Sequence, residues 1–282
     1  MKARLDCYPC LYYQALRTAR MITQDEKKIL DILNNVSRLL PQLSFNVMPP
    51  EIGKKMYDLI EQMTEVSDPY QTIKQECTQR ALRMYPDIKK RIKDSPNQLE
   101  MAVRAAVAGN VIDFGVHAEF DFDKDLETVF TQEFAINHLP EFSEAVKQAR
   151  RLMYIGDNAG ETVFDRILIE EMNKPIVFVV REKPIINDAV YQDAVEAGLD
   201  KVAEIISSGS DAPGTILSLC SDEFMNAYNN ADLIISKGQG NYEALSEENR
   251  PIFFLLKAKC PVIAADIGVP QGSIILMRSL NY

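Results

Sequence analysis

Short apolar runs alternate with helix-like stretches over the second half of the chain, and this alternation constrains the fold more than any other feature. An apolar run at 152–155 ends at Gly156, and residues 161–171 then have the spacing of a helix. Residues 189–197 also have helical spacing and end at Gly198. Strands and helices in regular alternation are typical of an α/β fold, a mostly parallel sheet with helices on both faces. The further apolar runs are 175–180, 202–206, 233–235, 252–256 and 261–264.

The first half of the chain has helical spacing throughout. Pro49 and Pro50 interrupt the pattern, since proline lacks a backbone N–H and its ring clashes inside a helix. The breaks between helices are short, so we expect a compact helical region over 1–145, followed by an α/β domain over 146–282. The helical stretches are 29–39, 51–66, 70–85 and 99–108.

Charge and composition narrow the classes of function. Lys and Arg total 31 against 41 Asp and Glu, which gives a formal net charge of −10, and the sequence has no long basic run. Such a chain repels nucleic acid and anionic membranes, so neither is expected as a partner. No stretch approaches the roughly 18 apolar residues that suggest a membrane span, and no secretion signal is recognised. The five cysteines are sparse and odd in number, which favours a reducing compartment and a cytoplasmic protein.

Polar and glycine-rich residues follow the predicted strands at the points where the chain turns into helices. Asp157 and Asn158 follow the first strand, Asp188 follows the second, and Lys237 follows the fourth. Ligands of open parallel sheets bind beyond these carboxyl ends. Two carboxylates and an amide oxygen suit Mg²⁺ or Mn²⁺, and Lys237, as a mobile cation flanked by glycines, suits a phosphate. The alternative is that the Asp and Asn side chains cap helices and Lys237 is an ordinary surface lysine.

Four motifs in this order resemble those of the damage-control phosphatase family, formerly a domain family of unknown function. The resemblance covers nearly the whole chain. An N-terminal Cys7-Tyr-Pro-Cys10 is similar to the microbial branch of that family. The four motifs are Gly109-Asn-Val-Ile-Asp-Phe-Gly115, Gly156-Asp-Asn-Ala-Gly-Glu161, Pro184-Ile-Ile-Asn-Asp188 and Lys237-Gly-Gln-Gly-Asn-Tyr-Glu243.

The resemblance implies a Rossmann-like α/β domain with a helical N-terminal region. It implies hydrolysis of small phosphorylated metabolites, either sugar phosphates or damaged and cofactor-related phosphates. The implied cofactor is a divalent metal, Mn²⁺ or Mg²⁺, with Co²⁺ and Ni²⁺ as further candidates. We expect water activated by the metal to attack phosphorus. An aspartyl-phosphate route through Asp157 is less favoured, because Asn158 and Ala159 replace the Asp-x-Asp pattern of that chemistry.

The resemblance also assigns roles to individual residues. The implied metal ligands are Asp157, Asn158 and Asp188. The implied catalytic residues are Asp157, Asp188 and Lys237. The implied substrate- and phosphate-binding residues are Lys237, Gly238, Asn241, Asn110, Asp113 and Glu161. Capping and loop hydrogen bonds are the alternative for Asn110 and Asp113, and Glu161 in a first helical turn also suits the helix dipole.

Other functions stay open at this point. An S-adenosylmethionine-dependent carboxyl methyltransferase would use the same sheet edge, and a non-catalytic metal- or metabolite-binding protein would use the same residues without turnover. Cys7 and Cys10 have metal-ligand spacing without a complete ligand set, so we expect packed, reduced thiols, with a redox pair as the alternative. For Arg181 we expect a salt bridge, with substrate binding as the alternative. The oligomeric state is not predicted.

Overall fold

The N-terminal helices begin where local chemistry favours a start. The computed structural model describes residues 1–42, 44, 46–111, 127–128 and 130–279. Pro49 and Pro50 occupy the first turn of the third helix, where a missing backbone N–H leaves no helix hydrogen bond unmade. Asp25 caps the second helix by accepting a hydrogen bond from the N–H of Lys27. The helices are α1 (Cys7–Ile22), α2 (Glu26–Leu39), α3 (Pro49–Thr64), α4 (Gln71–Lys93) and α5 (Gln98–Val111).

In the part of the chain that the structure describes, seven strands follow and form one sheet, with further helices between them. The strands are β1 (Phe134–Asn137), β2 (Leu152–Ile155), β3 (Ile176–Val180), β4 (Glu204–Ser207), β5 (Leu233–Lys237), β6 (Ile252–Lys257) and β7 (Ile274–Arg278). The helices are α6 (Leu139–Gln148), α7 (Thr162–Met172), α8 (Tyr191–Glu196), α9 (Asp222–Asn230), α10 (Gln239–Leu245) and α11 (Pro261–Ile267). The strand order is β1-β7-β6-β5-β2-β3-β4.

The order of the strands creates a switch point beside β2. The chain moves from β2 outward to β3 and β4, and it then returns to place β5 on the other side of β2. Strands β2 to β6 are parallel, so the loops after β2 and β5 leave the sheet side by side at the same edge. In open α/β sheets this is the position where ligands bind. β7 is antiparallel to β6, and β1 is parallel to β7.

Helices cover both faces of the sheet, as alternating side chains of one strand demonstrate. Leu233 and Ile235 of β5 share a core with α4, α5, α6 and α7 on one face. Ile234 lies in the core on the opposite face, with α9, α10 and α11. Ile52 and Met56 of α3 belong to a third cluster, which α1 and α2 complete. The predicted mostly parallel sheet with helices on both faces is confirmed.

Three elements differ from the sequence-based expectation. Phe134–Asn137 is a strand within the region expected to be helical, and it pairs with β7 at the edge of the sheet. The apolar run at 261–264 is the start of a helix, because Pro261 suits a first helical turn and Gly268 ends the helix with φ of +81°. The strand that follows β6 in the chain is Ile274–Arg278, not the run at 261–264. The boundary between two domains near residue 145 stays a prediction.

Candidate active site

Backbone hydrogen bonds join the two loops that carry the predicted metal ligands. The N–H of Ala189 donates to the carbonyl of Asp157 at 2.8 Å, and the N–H of Ala159 donates to the carbonyl of Asn187 at 2.9 Å. Asn158 and Asp188 thereby face each other as a single antiparallel bridge between loops that follow β2 and β3. The structure therefore brings Asp157, Asn158 and Asp188 together at the carboxyl edge of the sheet.

Gly238 fixes the position of the Asp157 carboxylate. It follows β5 with φ of +77°, a conformation that side chains other than glycine rarely adopt. A Cβ atom at this position would lie 1.8 Å from Oδ2 of Asp157 and 2.3 Å from its carboxyl carbon. The carboxylate thus packs directly on the bare backbone of the neighbouring loop, so Gly238 is required for close approach at the switch point.

The carboxylates of this site repel one another. Burial raises the pKa of Asp157 well above its usual range, and the negative charges of Asp188 and Glu161 raise it further, against the opposing charges of Arg181 and Lys259. Burial also raises the pKa of Asp188, and Arg181 opposes that shift. A cation between these oxygens would relieve the repulsion, and hard oxygen donors fit a divalent metal. The donor set therefore fits the predicted ion.

The residue types of this set matter for that fit. Across the described part of the chain, no group of three or more His, Cys, Asp or Glu side chains is arranged to hold a metal ion. The predicted set has two carboxylates and one amide, so it is not a group of that kind. The amide nitrogen of Asn158 donates to Oδ2 of Asp157 at 3.2 Å and to Oε2 of Glu161 at 3.1 Å. This orientation leaves the amide oxygen of Asn158 for a cation.

Arg181 is a buried anchor for both the site loops and α10. Its side chain is 3% exposed, and Nε donates to Oδ2 of Asp188 at 2.8 Å. Nη1 donates to the hydroxyl of Thr215 at 3.1 Å, and Nη2 donates to Oδ1 of Asn241 at 2.9 Å. The salt bridge expected for this arginine is present, and it orients a predicted metal ligand.

The Asn241 side chain is engaged within the protein on both of its polar atoms. Its Oδ1 also accepts a hydrogen bond from Thr215 at 2.8 Å, and its Nδ2 donates to the carbonyls of Gly156 at 3.0 Å and Lys237 at 2.8 Å. The amide therefore ties the loop after β2 to the end of β5. Its contact with substrate stays a prediction.

Lys237 is not the mobile cation that its flanking glycines suggested. Its side chain is 0% exposed, and Nζ donates to the carbonyl of Ala106 at 2.9 Å and to Glu161 and Asp165 at 2.6 Å each. Burial lowers the pKa of this lysine, but the two carboxylates outweigh burial and raise the pKa to about 12. The hydroxyl of Tyr154 donates to the same oxygen of Asp165 at 2.7 Å. Phosphate contact by Lys237 stays a prediction.

Glu161 links this buried cluster to the paired loops. Its Oε1 accepts from Lys237 and its Oε2 accepts from Asn158. At the same level α5 approaches α7 closely, since a Cβ atom on Gly109 would lie 2.9 Å from Cγ of Glu161. These contacts make Glu161 a support for the Asn158 amide, and its binding of substrate stays a prediction. Asn110 belongs to the last turn of α5, but its side chain and the whole of Asp113 lie outside the described residues.

A cavity of about 540 Å³ opens onto the paired loops. One wall is the sheet edge with Asp157, Asn158 and Asp188, and α1 and α3 form the other wall. Lys237, Gly238, Asn241 and Glu161 are not among the lining residues and lie behind that edge. The sequence interpretation missed several lining residues with functional groups, namely Arg17, Gln239, Glu243, Lys259 and Cys260.

Of the missed residues, Lys259 could have been found from the sequence, whereas Arg17 could not. Lys259 follows β6, so it occupies the same kind of position as Asp157 and could have been found by extending the loop analysis to that strand. Arg17 lies within α1, and nothing in its sequence neighbours marks it. Cys7, Cys10 and Cys260 also line the cavity as free thiols, and burial raises the pKa of Cys7 and of Cys260. Cys7 is half-buried but Cys10 is exposed, so the packing expected for Cys10 is wrong, and the redox state of the two thiols stays a prediction.

No helix in the described ranges has both the length and the apolar character to cross a lipid bilayer.

Two paired acidic loops lie at the switch point of a mostly parallel sheet and face a wall of helices. This arrangement is typical of α/β proteins that bind a small ligand at the sheet edge. The model of the damage-control phosphatase ARMT1-like domain matches residues 3–275, and the chain belongs to that family. A damage-control phosphatase of Pyrococcus horikoshii is 38% identical over 290 residues, covering 99% of both chains. A damage-control phosphatase of Archaeoglobus fulgidus is 32% identical over 285 residues, covering 98% of both. The crystal structure of a DUF89 family protein from Pyrococcus horikoshii matches with a TM-score of 0.91 at 38% identity, covering 99% of each chain.

The family assignment confirms the resemblance inferred from the four motifs. The similarity of Cys7 and Cys10 to a microbial branch stays a prediction.

Proposed function

We propose that this protein is a divalent-metal-dependent phosphatase that hydrolyses small phosphorylated metabolites. The observation that carries the proposal is the pairing of the loops after β2 and β3, which brings Asp157, Asn158 and Asp188 together in the lining of the cavity of about 540 Å³. Membership of a phosphatase family and relatives named damage-control phosphatases support it. The cavity volume lies within the range of roughly 300–1,000 Å³ of small-molecule sites.

Asp157, Asn158 and Asp188 would hold the metal, with Mn²⁺ or Mg²⁺ as the preferred ion for oxygen donors. A bound divalent cation would supply a lowered pKa for water and polarisation of the phosphoryl oxygens. Arg181 holds Asp188 in place through the 2.8 Å contact to Oδ2 and leaves the other carboxylate oxygen for the ion. Gly238 holds Asp157 from the opposite side.

Two lysines take different parts in this proposal. The ammonium of Lys259 lines the cavity and acts electrostatically on Asp157, so it is suited to neutralise negative charge on the phosphoryl group. Lys237 acts through Glu161, which holds the amide of Asn158, and is therefore a positioning residue. Direct contact between Lys237 and phosphate would require its ammonium to leave two buried carboxylates.

Release of phosphate from p-nitrophenyl phosphate tests the function. The protein is stripped with a chelator and assayed with Mn²⁺, Mg²⁺, Co²⁺ or Ni²⁺ added singly. We expect turnover that depends on the ion and is lost in Asp157→Asn and in Asp188→Asn. Asp200→Asn is the matched control, since Asp200 is an exposed aspartate away from the cavity.

A screen of sugar phosphates and damaged-cofactor phosphates with the preferred ion then narrows the substrate. Cation binding by calorimetry without phosphate release from any compound would favour a non-catalytic metal-binding protein and contradict the proposal. Equal activity in wild type and Asp157→Asn would contradict the assigned site.

A further inference from the structure

One face of α1 forms part of the cavity wall. Cys7, Cys10, Gln14 and Arg17 follow at spacings of three, four and three residues, so they lie along one side of the helix, and all four line the cavity. Leu11, Ala15 and Ala19 on the neighbouring side of α1 pack in the cluster that α1, α2 and α3 share. The helix therefore presents a polar stripe to whatever ligand the cavity binds.

Arg17 stands out among the cations of this protein that are withdrawn from water. Lys74, Arg181 and Lys237 each form ion pairs with one or two carboxylates. The guanidinium of Arg17 is half-buried, and no described residue forms a hydrogen bond or ion pair with it. Its charge is felt at the phenol of Tyr57, where burial raises the pKa and Arg17 opposes the shift. The arginine thus faces the cavity with its donors unused by the described chain.

An arginine in this state is suited to bind an anion from solution. Its planar guanidinium matches the geometry of carboxylate and phosphate groups and can bind them through two parallel hydrogen bonds. Partial removal from water without a counter-ion is unfavourable, and an anionic ligand would compensate for it. The ligand group expected here is therefore an oxyanion.

The position of Arg17 separates it from the cationic end of the sheet wall. Lys259 lines the cavity from the loop after β6, whereas Cys10 and Arg17 line it from α1. Arg17 lies seven residues beyond Cys10, or about 10 Å further along the axis of α1. The cavity thus has one cationic position near the Lys259 end of the sheet wall and a second on the helical wall.

We propose that Arg17 forms a second anion-binding subsite, so that the natural substrates carry a carboxylate or a second phosphate in addition to the phosphoryl group that is hydrolysed. This inference rests on the proposed phosphatase function. It narrows the proposed class of substrates to small phosphorylated metabolites that have anionic groups at both ends.

The test compares two substrate series that differ in one charge. Phosphorylated alkanols form the neutral-tail series, and phosphorylated hydroxyalkanoic acids of the same lengths form the carboxylate series, with alkanediol bisphosphates as a third arm. The measured quantity is the ratio of kcat/KM between charged and neutral substrates at each length. We expect this ratio to exceed one at a preferred length in wild type and to fall at least about tenfold in Arg17→Gln. Arg20→Gln, an exposed arginine one turn further along α1, should leave the ratio unchanged.

Binding without turnover keeps the two proposals distinguishable. Phosphonoalkanoic acids of the preferred length cannot release phosphate, and their affinity for the metal-loaded protein is measured by calorimetry in wild type and Arg17→Gln. Loss of affinity in Arg17→Gln supports the subsite even if no compound is hydrolysed. The lack of hydrolysis would contradict the phosphatase proposal and leave the subsite proposal standing. A charged-to-neutral ratio that Arg17→Gln leaves unchanged, whether the variant is active or uniformly slow, overturns the second subsite. The carboxylate and bisphosphate arms show which anion it prefers.

Discussion

Lys237→Met removes the cation that two buried carboxylates share. Methionine has a similar length and fits an apolar environment, so the change deletes charge while it largely keeps volume. The side chains of Lys237, Glu161 and Asp165 are all 0% exposed, so water cannot replace the lost ammonium. Removing one partner of a buried ion pair typically costs about 3–5 kcal/mol, and we expect a loss of unfolding free energy in that range.

The pH dependence of this loss follows from the carboxyl groups left behind. Burial raises the pKa of Asp165 to about 6 even though Lys237 opposes the shift, and Oδ2 of Asp165 has no hydrogen-bond partner in the described chain. Without the lysine the folded-state pKa rises further. A carboxyl with a raised folded-state pKa stabilises the fold at low pH and loses that contribution as the pH rises through this pKa. The variant should therefore approach wild-type stability near pH 5 and fall away from it near pH 8.

Urea unfolding followed by far-ultraviolet circular dichroism measures the effect, since the chain has no tryptophan to report fluorescence. Lys237→Met combined with Asp165→Asn should recover part of the lost free energy, because it deletes one of the orphaned charges. Lys201→Met, at an exposed lysine, is the control and should change stability by no more than about 0.5 kcal/mol. A Lys237→Met protein as stable as wild type at pH 7, with phosphate release abolished, would refute the buried-cluster argument and place this lysine at the substrate.

Three further changes probe the site and the cavity. Gly238→Ala should lower stability by about 1–2 kcal/mol and weaken Mn²⁺ binding measured by calorimetry, because its Cβ meets the Asp157 carboxylate. Gly268 has a similar φ with open space around it, so Gly268→Ala is the control and should lower stability without a change in Mn²⁺ binding. Arg181→Met should cost about 3–5 kcal/mol by thermal or urea unfolding and reduce Mn²⁺ affinity, and unimpaired affinity in a folded variant would contradict its anchoring role. Burial raises the pKa of Glu243 to about 8, so wild-type unfolding free energy should fall by up to about 1.4 kcal/mol per pH unit as the pH rises toward 8. Glu243→Gln should lessen this slope, part of which remains because the pKa values of Asp157, Asp165 and Asp188 are also raised, and an unchanged slope would show that Glu243 does not contribute.

The central strands were predictable because they are buried on both faces and appear as continuous apolar runs. β1 escaped prediction because it is an edge strand with alternating half-buried and exposed residues inside a region of helical spacing. The run at 261–264 was ambiguous, since a short apolar run does not distinguish a strand from a buried helix. Pro261 and Gly268 are the local signals that decide for a helix there.

The site was predictable to the extent that it depends on strand ends. Parallel strands place their carboxyl ends at one edge, so Asp157 and Asp188 could be brought together from sequence alone. The direction of the Lys237 side chain depends on the alternation along β5, which puts it on the same face as Leu233 and Ile235. That this face carries the acidic start of α7 is a consequence of tertiary packing. The place of Arg17 depends on how α1 meets the sheet, which helical periodicity does not contain.

The cavity is built from two parts of the chain that lie far apart in sequence, with the paired loops on one side and α1 and α3 on the other. The loops are fixed by backbone pairing, Gly238 and Arg181, so mutations there disrupt the whole edge of the sheet. The stripe on α1 is held by fewer contacts: Gln14 accepts a hydrogen bond from the hydroxyl of Tyr57, whereas Cys10 is exposed and Arg17 has no hydrogen bond or ion pair with a described residue. Exchange of the residues at positions 10 and 17 can thus change which ligand the cavity accepts and leave the paired loops on the facing wall unchanged.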